Sequence, residues 1–259
     1  MIKIISGWSN PGGSTIAHIR LCNLFNENGL ECEFYGPHEW HLDKCKGKMA
    51  GEYMPAEDDI LISHFCIPSK DTPCKKHILS LHETNYFPLK KQDLEIWDII
   101  HYVSNFQRGW QAVNKPYKII PNVVLPIEIK DKKKTGVAGI IGSVDSHKRT
   151  HLSVQRAFKD GWEKIKIFGN KTDPKYWNDY KPLFQDSRIE YMGHCDNQVE
   201  MYSQVDAVYC SSARETFNFV KAECEMLNIP YHGMDSAEND AQYKEPAEIL
   251  EAWKEIMYG

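Results

Sequence analysis

Two glutamates, Glu215 and Glu223, stand eight positions apart in the stretch Ser211-Ser-Ala-Arg-Glu-Thr-Phe-Asn-Phe-Val-Lys-Ala-Glu223. The apolar run Val205-Asp-Ala-Val-Tyr-Cys210 precedes it and Leu227-Asn-Ile-Pro230 closes it, so the pattern predicts strand, turn and helix. Glu215 then falls at the helix mouth, where backbone N–H groups without intrahelical partners point outward. At 3.6 residues per turn, Glu223 lies about 80° past two further turns, on roughly the same face. Carboxylates accept hydrogen bonds from hydroxyls and helix-mouth amides take phosphate, which suits a polyhydroxylated, phosphate-bearing ligand. The bland alternative is that Glu215 only complements the helix dipole and Glu223 faces solvent. A second candidate is Gly12-Gly13, which follows the strand Lys3–Gly7 and opens a helix closed by Asn28-Gly29. Glycines there let backbone N–H groups approach a phosphate closely, though a plain tight turn has the same sequence.

The elements around these residues alternate. Short apolar strands are predicted at Glu31–Gly36, Asp59–His64, Lys76–His82, Trp97–Ser104 and Tyr117–Pro121, with a helix at Asn105–Val113. Residues 125–136, with Pro126 and the run Lys130-Asp-Lys-Lys-Lys134, break the pattern and read as a linker. The alternation restarts with strands at Val137–Val144, Lys164–Gly169, Arg188–Gly193, Asp206–Cys210 and Pro230–Gly233, and a last amphipathic helix at Pro246–Met257. The expected fold is therefore α/β: two Rossmann-like parallel-sheet domains, 1–124 and 137–259, facing a cleft. Ligands of such sheets collect at the carboxyl ends of the strands, which puts Gly12, Gly13, His64, His82, Glu83 and Ser104 near one rim. His82, at a strand end, stands out among them.

Composition excludes some classes. The 259 residues carry a net charge of −5, so no global basic field favours nucleic acid or acidic lipid. No apolar run approaches the roughly 20 residues that span a bilayer, and Met1-Ile-Lys-Ile-Ile-Ser6 reads as a strand and not a signal peptide. A cytoplasmic protein is expected. The eight cysteines show no CxxC pair and read as free thiols. His38-Glu-Trp-His41 lacks any accompanying HExxH or CxxC element, so neither a metal nor a cofactor is expected.

Five segments, in order, resemble the retaining glycosyltransferases of the GT-B fold, in the group 1 nucleotide-sugar type, and compact phage-like members in particular. Pro11-Gly-Gly-Ser14 resembles the N-terminal glycine turn, and Ile120-Pro-Asn-Val-Val124 resembles Ile-Pro-Asn-Gly-Val. Gly142-Ser-Val-Asp-Ser-His-Lys148 resembles Gly-Arg-x-x-x-x-Lys, and Ile189-Glu-Tyr-Met-Gly193 resembles Val-x-Phe-x-Gly. Ser211–Glu223 resembles the Ser-x-x-Glu signature with its second glutamate. The resemblance spans nearly the whole chain.

What it implies can be laid out by residue. Glu215 would hold hydroxyls of the transferred sugar, Glu223 the nucleotide ribose, and the backbone of Thr216, Phe217 and Asn218 would run along the diphosphate. Lys148 would neutralise the leaving diphosphate. Gly13, beside Gly12, would allow its close approach, with Gly142 and Ser143 in the Lys148 loop. His82 would face the sugar. Glu215, His82 and Lys148 would thus carry the chemistry, without a metal, by front-face substitution with retention. Two departures bear on this: Ser143 stands where the family has arginine, with Arg149 as a substitute charge, and the turn after Pro230 is Tyr-His-Gly-Met. The implied partner is a nucleotide-sugar, with a glycan, small molecule or modified DNA as acceptor. A DNA-base transferase would use the lysine run and the aromatics Trp162, Tyr176, Trp177 and Tyr180. A non-catalytic nucleotide-sugar binding module is the alternative that Ser143 motivates.

Overall fold

The computed structural model describes residues 1–7, 12–36, 54, 56–83 and 93–259. His38–His41, Cys45 and Pro11 lie outside them. The chain forms two compact units, Met1–Leu125 together with Lys244–Gly259, and Pro126–Tyr243. Each is an α/β body around one parallel sheet.

In the first unit the strands are β1 (Ile2–Ser6), β2 (Cys32–Tyr35), β3 (Ile60–His64), β4 (Lys76–Leu81), β5 (Ile99–Tyr102) and β6 (Tyr117–Ile119). They lie in the order β2-β1-β3-β4-β5-β6, all parallel. The helices α1 (Gly13–Glu27) and α2 (Asn105–Gln111) alternate with them. Alternate residues of one strand go to opposite cores: Ile78 packs with Ile4, Ile62 and Phe25, whereas Leu79 packs with Trp97, Ile100 and Tyr102. A sheet buried on both faces needs strands with consecutive apolar residues, as in Ile4-Ile5 of β1, Ile60-Leu-Ile62 of β3 and Ile78-Leu79 of β4. Gly12 precedes α1 with extended backbone (φ −163°), a conformation open to any residue, and its carbonyl accepts from the Ile16 amide at 3.1 Å.

The second unit holds β7 (Ala138–Ile141), α3 (Thr150–Lys159), β8 (Ile165–Phe168), α4 (Pro174–Asp179), α5 (Lys181–Phe184), β9 (Ile189–Gly193), α6 (Gln198–Ser203), β10 (Ala207–Tyr209), α7 (Phe219–Met226) and β11 (Tyr231–His232). The strand order is β11-β10-β7-β8-β9, again all parallel.

The unit boundaries differ from the expected domains in two places. The final helix, α8 (Pro246–Tyr258), falls in the second half of the sequence but belongs to the first unit. Its apolar stripe of Ile249, Leu250, Trp253, Ile256 and Met257 joins the core of α1, β1 and β3, with Trp253 edge-on to Phe25 at 6.0 Å between ring centroids. Of residues 125–136, expected as a linker, Leu125 belongs to the first unit and 126–136 pack on the second. Ile127 and Ile129 join its core, and the Asp206 carboxylate accepts from the amides of Thr135 at 2.8 Å and Gly136 at 2.6 Å. Among the described residues no helix is long and apolar enough to cross a membrane.

Candidate functional site

The order of the second sheet reverses between β7 and β10, and the loops that leave two such strands in opposite directions open a crevice at their carboxyl ends. The loop after β7 carries Gly142, Ser143, Asp145, Lys148 and Arg149, and the loop after β10 carries Ser211 to Asn218. A backbone bond from the Ala213 amide to the His147 carbonyl, 2.8 Å, joins the two.

Gly142 follows β7 with φ +133°, a region that side chains rarely adopt, and the Lys148 side chain passes against the space its Cβ would fill. Gly169, at φ +152°, lies against the Gly142 carbonyl so tightly that a Cβ would come within 1.8 Å of its oxygen. These two glycines set the path along which Lys148 reaches Glu215. The Lys148 ammonium donates to the Glu215 carboxylate. Removal from water, the largest influence, pushes the Lys148 pKa down, but the Glu215 carboxylate together with Cys210 and Asp145 outweighs this and the net lies above the ordinary lysine value. Lys148 is therefore a fixed cation near neutral pH.

Asp145 organises the loop. Its carboxylate accepts from Ser143 Oγ, from the Lys148 amide at 2.7 Å and from Thr172 Oγ1 at 2.9 Å. Burial raises its pKa, but these donors win and hold it below the usual aspartate range. Ser143 is thus bound into the loop's own framework. Arg149 sits in left-handed backbone (φ 48°) at the start of α3. Its Nε donates to the Ser211 carbonyl at 2.6 Å, and its Nη2 to the Ser212 carbonyl at 3.2 Å and to Asp235 Oδ2 at 2.7 Å. The guanidinium ties the two loops together. Arg149→Met should lower the stability of the second unit by about 2 kcal/mol in thermal unfolding, because it strips a charged donor from two carbonyls. Asp235→Ala should cost under about 1 kcal/mol, since Asp235 is exposed.

The helix after this turn starts later than expected. Asn218 is its N-cap, accepting from the Lys221 amide at 3.2 Å, so α7 begins at Phe219. Glu215 therefore lies in the turn before the helix, and not at its mouth. The expected two-turn relation to Glu223 does not hold. Asn218 also donates to the Tyr231 hydroxyl at 2.7 Å, and Phe217 is buried edge-on to Phe219. Thr216 is half-buried beside them.

Glu215 is braced from a segment that the sequence pattern left unmarked. Ser236 Oγ accepts from the Glu215 amide and donates to the Ser212 carbonyl, both at 3.0 Å. Asn239 Nδ2 donates to the Glu215 carbonyl at 3.1 Å. The signal available for this segment was the polar cluster Asp235-Ser-Ala-Glu-Asn239, which follows the altered turn Tyr231-His-Gly-Met234. Glu223, by contrast, faces inward from α7. It is 4% exposed, with Oε1 accepting from Gln198 Nε2 at 2.6 Å and Oε2 from the Tyr202 hydroxyl at 2.7 Å. Burial, and then the Glu223 carboxylate, push the Tyr202 phenol well up, so it stays a donor. The solvated alternative for Glu223 is excluded by this burial.

In the first unit, the rim after β3 and β4 brings His64, His82 and Glu83 together. His64 Nε2 is 3.2 Å from Glu83 Oε1, and the Glu83 carbonyl accepts from Gln107 Nε2 at 3.1 Å. Ser104 caps α2 through the Gln107 amide. His82 is 8% exposed. The aromatics considered for nucleic acid are used internally. Tyr176 is buried, Trp177 stacks on Phe184 at 5.0 Å, Tyr180 stacks on His151 at 3.9 Å, and the Trp162 indole donates to Tyr209 at 3.0 Å. Among the described residues no group of three His, Cys, Asp or Glu side chains is arranged to hold a metal. The seven described cysteines are free.

No family model matches the chain, and no curated protein matches it. Solved structures do. The crystal structure of Anabaena Alr3699/HepE in complex with UDP-glucose aligns with TM-score 0.63 and 11% identity, over 90% of this chain and 79% of that one. AviGT4, a glycosyltransferase involved in avilamycin A biosynthesis, aligns with TM-score 0.66 and 16% identity, over 97% and 87%. TarM aligns with TM-score 0.72 and 10% identity, over 99% and 91%. At these identities the likeness is one of fold.

Proposed function

We propose that this chain is a retaining glycosyltransferase of the GT-B type, taking a nucleotide-sugar of the UDP-sugar class as donor. The observation that carries the reading is the Lys148–Glu215 pair at the reversal point of the second sheet. A nucleoside diphosphate leaving group gains negative charge as the glycosidic bond breaks. A fixed ammonium there stabilises that charge most in the transition state. Lys148 fills this role without a metal, and Gly142 and Ser143 line its loop. Glu215 accepts from hydroxyls of the transferred sugar, held in place by Ser236 and Asn239. The backbone of Thr216 to Asn218 follows the diphosphate, and Glu223, oriented by Gln198 and Tyr202, accepts from the ribose. Arg149 contributes by holding the Ser211–Ser212 backbone against the Lys148 loop. In the first unit Gly12 and Gly13 permit close approach of phosphate, and His82 meets a sugar hydroxyl. The neighbours of known fold support the donor class, since one of them was crystallised with UDP-glucose. The acceptor is a glycan or small molecule; the packed aromatics weigh against DNA.

Glu215→Ala should lower donor turnover at least about tenfold, equivalent to about 1.4 kcal/mol of transition-state stabilisation. Turnover is read as hydrolysis or transfer across a panel of UDP-, GDP-, ADP- and CDP-sugars. A matching donor at 100 times its dissociation constant should add about 2.7 kcal/mol to thermal stability. Wild-type protein that binds a donor and never turns it over would instead establish a binding module. The anomeric configuration of the product, read by NMR, tests retention.

A further inference from the structure

One side-chain amide in the second unit is held by its nitrogen alone. Gln198 is the first residue of α6, on the loop that leaves the carboxyl end of β9. That end belongs to the same rim as the Lys148 loop. The Gly169 amide donates to the Gly193 carbonyl at 2.7 Å, and the Gly142 amide to the Phe168 carbonyl at 2.9 Å. Helices α6 and α7 share one core, in which Met201 and Tyr202 of the former join Cys224 of the latter. Gln198 thereby reaches α7, where its Nε2 donates to Glu223 Oε1 at 2.6 Å, and the Tyr202 hydroxyl donates to Glu223 Oε2 at 2.7 Å.

Chemistry fixes which end of the amide faces Glu223. A carboxylate only accepts, so the nitrogen with its two hydrogens must turn toward it. The flipped amide would set oxygen against oxygen. The Tyr202 phenol, which burial keeps protonated, holds the other carboxylate oxygen. Gln198 Oε1 is thus turned away from Glu223, on a half-buried residue at the start of a helix. Among the described residues nothing donates to it. The result is two acceptors side by side, a carboxylate and an amide oxygen, tied by one hydrogen bond.

We infer that Gln198 determines specificity for the donor ribose: its Oε1 accepts from one hydroxyl of the vicinal diol while its Nε2 holds Glu223 for the other. This rests on the proposed role of Glu223 toward the nucleotide ribose. A vicinal diol carries two O–H donors on adjacent carbons, which matches two adjacent acceptors. A deoxyribose leaves one acceptor without a donor, and a 2′- or 3′-phosphate sets an anion against the carboxylate. The chain therefore selects ribonucleotide donors with both hydroxyls unmodified.

The test joins calorimetry to ¹³C NMR of glutamine-labelled protein, with Gln198 assigned by the resonance lost in Gln198→Met. The probes are UDP, 2′-deoxy-UDP and 3′-deoxy-UDP, or the same series of the base that the donor panel selects. UDP should move the Gln198 carboxamide carbon downfield, as its oxygen gains a donor, and one deoxy analogue should leave it in place. Wild-type protein should bind UDP about tenfold more tightly than that analogue, the equivalent of one hydrogen bond. Gln198→Met should bring UDP and that analogue to equal affinity, whatever both lose through Glu223. A carboxamide carbon unmoved by UDP, or moved alike by all three ligands, overturns the assignment. So does a Gln198→Met that weakens all three by one factor, the mark of a purely structural glutamine. Should Gln198→Met not fold, Gln198→Asn supplies the assignment and the wild-type spectra decide it alone. Failure of the donor reading looks different: no nucleoside diphosphate binds, and both fall together. UDP binding without a carboxamide response removes the role of Gln198 only.

Discussion

Acidification from pH 6.5 to 4 is expected to destabilise the first unit by about 3 kcal/mol through His101 alone, at about 1.4 kcal/mol per pH unit. The cause is burial. The His101 ring sits between Ser80, the Ile120 carbonyl and the face of Trp253, whose centroid is 4.6 Å away, and its pKa falls from the ordinary 6.5 to about 4. Between those two values the unfolded chain binds a proton at this histidine and the folded chain does not. Stability therefore rises with pH across the window, and what is present above 6.5 is lost on the way down to 4. His18 and His82 are shifted in the same direction and add to the slope. Among the described residues, His64 of β3 and the Glu83 carboxylate bonded to it also face these histidines. The measurement is urea unfolding at half-unit pH steps, compared with His101→Gln. The variant should lose up to one proton's worth of slope between pH 4.5 and 6. Equal slopes would mean that His101 is charged in the folded protein.

Trp253→Ala should cost about 3–5 kcal/mol, the range for removing a large buried aromatic. Trp253 is 2% exposed and wedged between Phe25 of α1 and His101 of β5. The location of the damage is the sharper prediction. Hydrogen exchange should accelerate in β1, β3, β4 and β5, far away in sequence, and stay unchanged in β7, β8 and β10, which precede Trp253 more closely. Lost protection in the second sheet would contradict the assignment of α8 to the first unit.

Most of the fold was legible because parallel strands buried on both faces must be apolar along their length. Ile60–His64, Ile78–Leu81 and Ile165–Phe168 could be read as strands from composition alone. The packing of α8 was not legible. An amphipathic stripe states that a helix covers something, and two similar sheets offered the same kind of surface. The helix start differs for another reason: the charge of Glu215 says nothing of the boundary, whereas Asn218, a preferred N-cap type, sets it. The histidine cluster was visible only in part. His64 and His82 stand at strand ends in the sequence, whereas Ser80 and His101 lie inside strand patterns and carry no such mark. Their meeting with His18 depends on strand register and on which face α1 covers.

The return of the chain to its first sheet has a consequence for biosynthesis. Residues 126–243 are one uninterrupted stretch inserted into the first unit, whose core lacks Trp253 and Ile256 until residues 244–259 have been made. The first unit, begun before the second, therefore cannot complete its core until every residue of the second has been synthesised. Nascent β1 to β6 pass through that interval with the α8-facing side of their core uncovered.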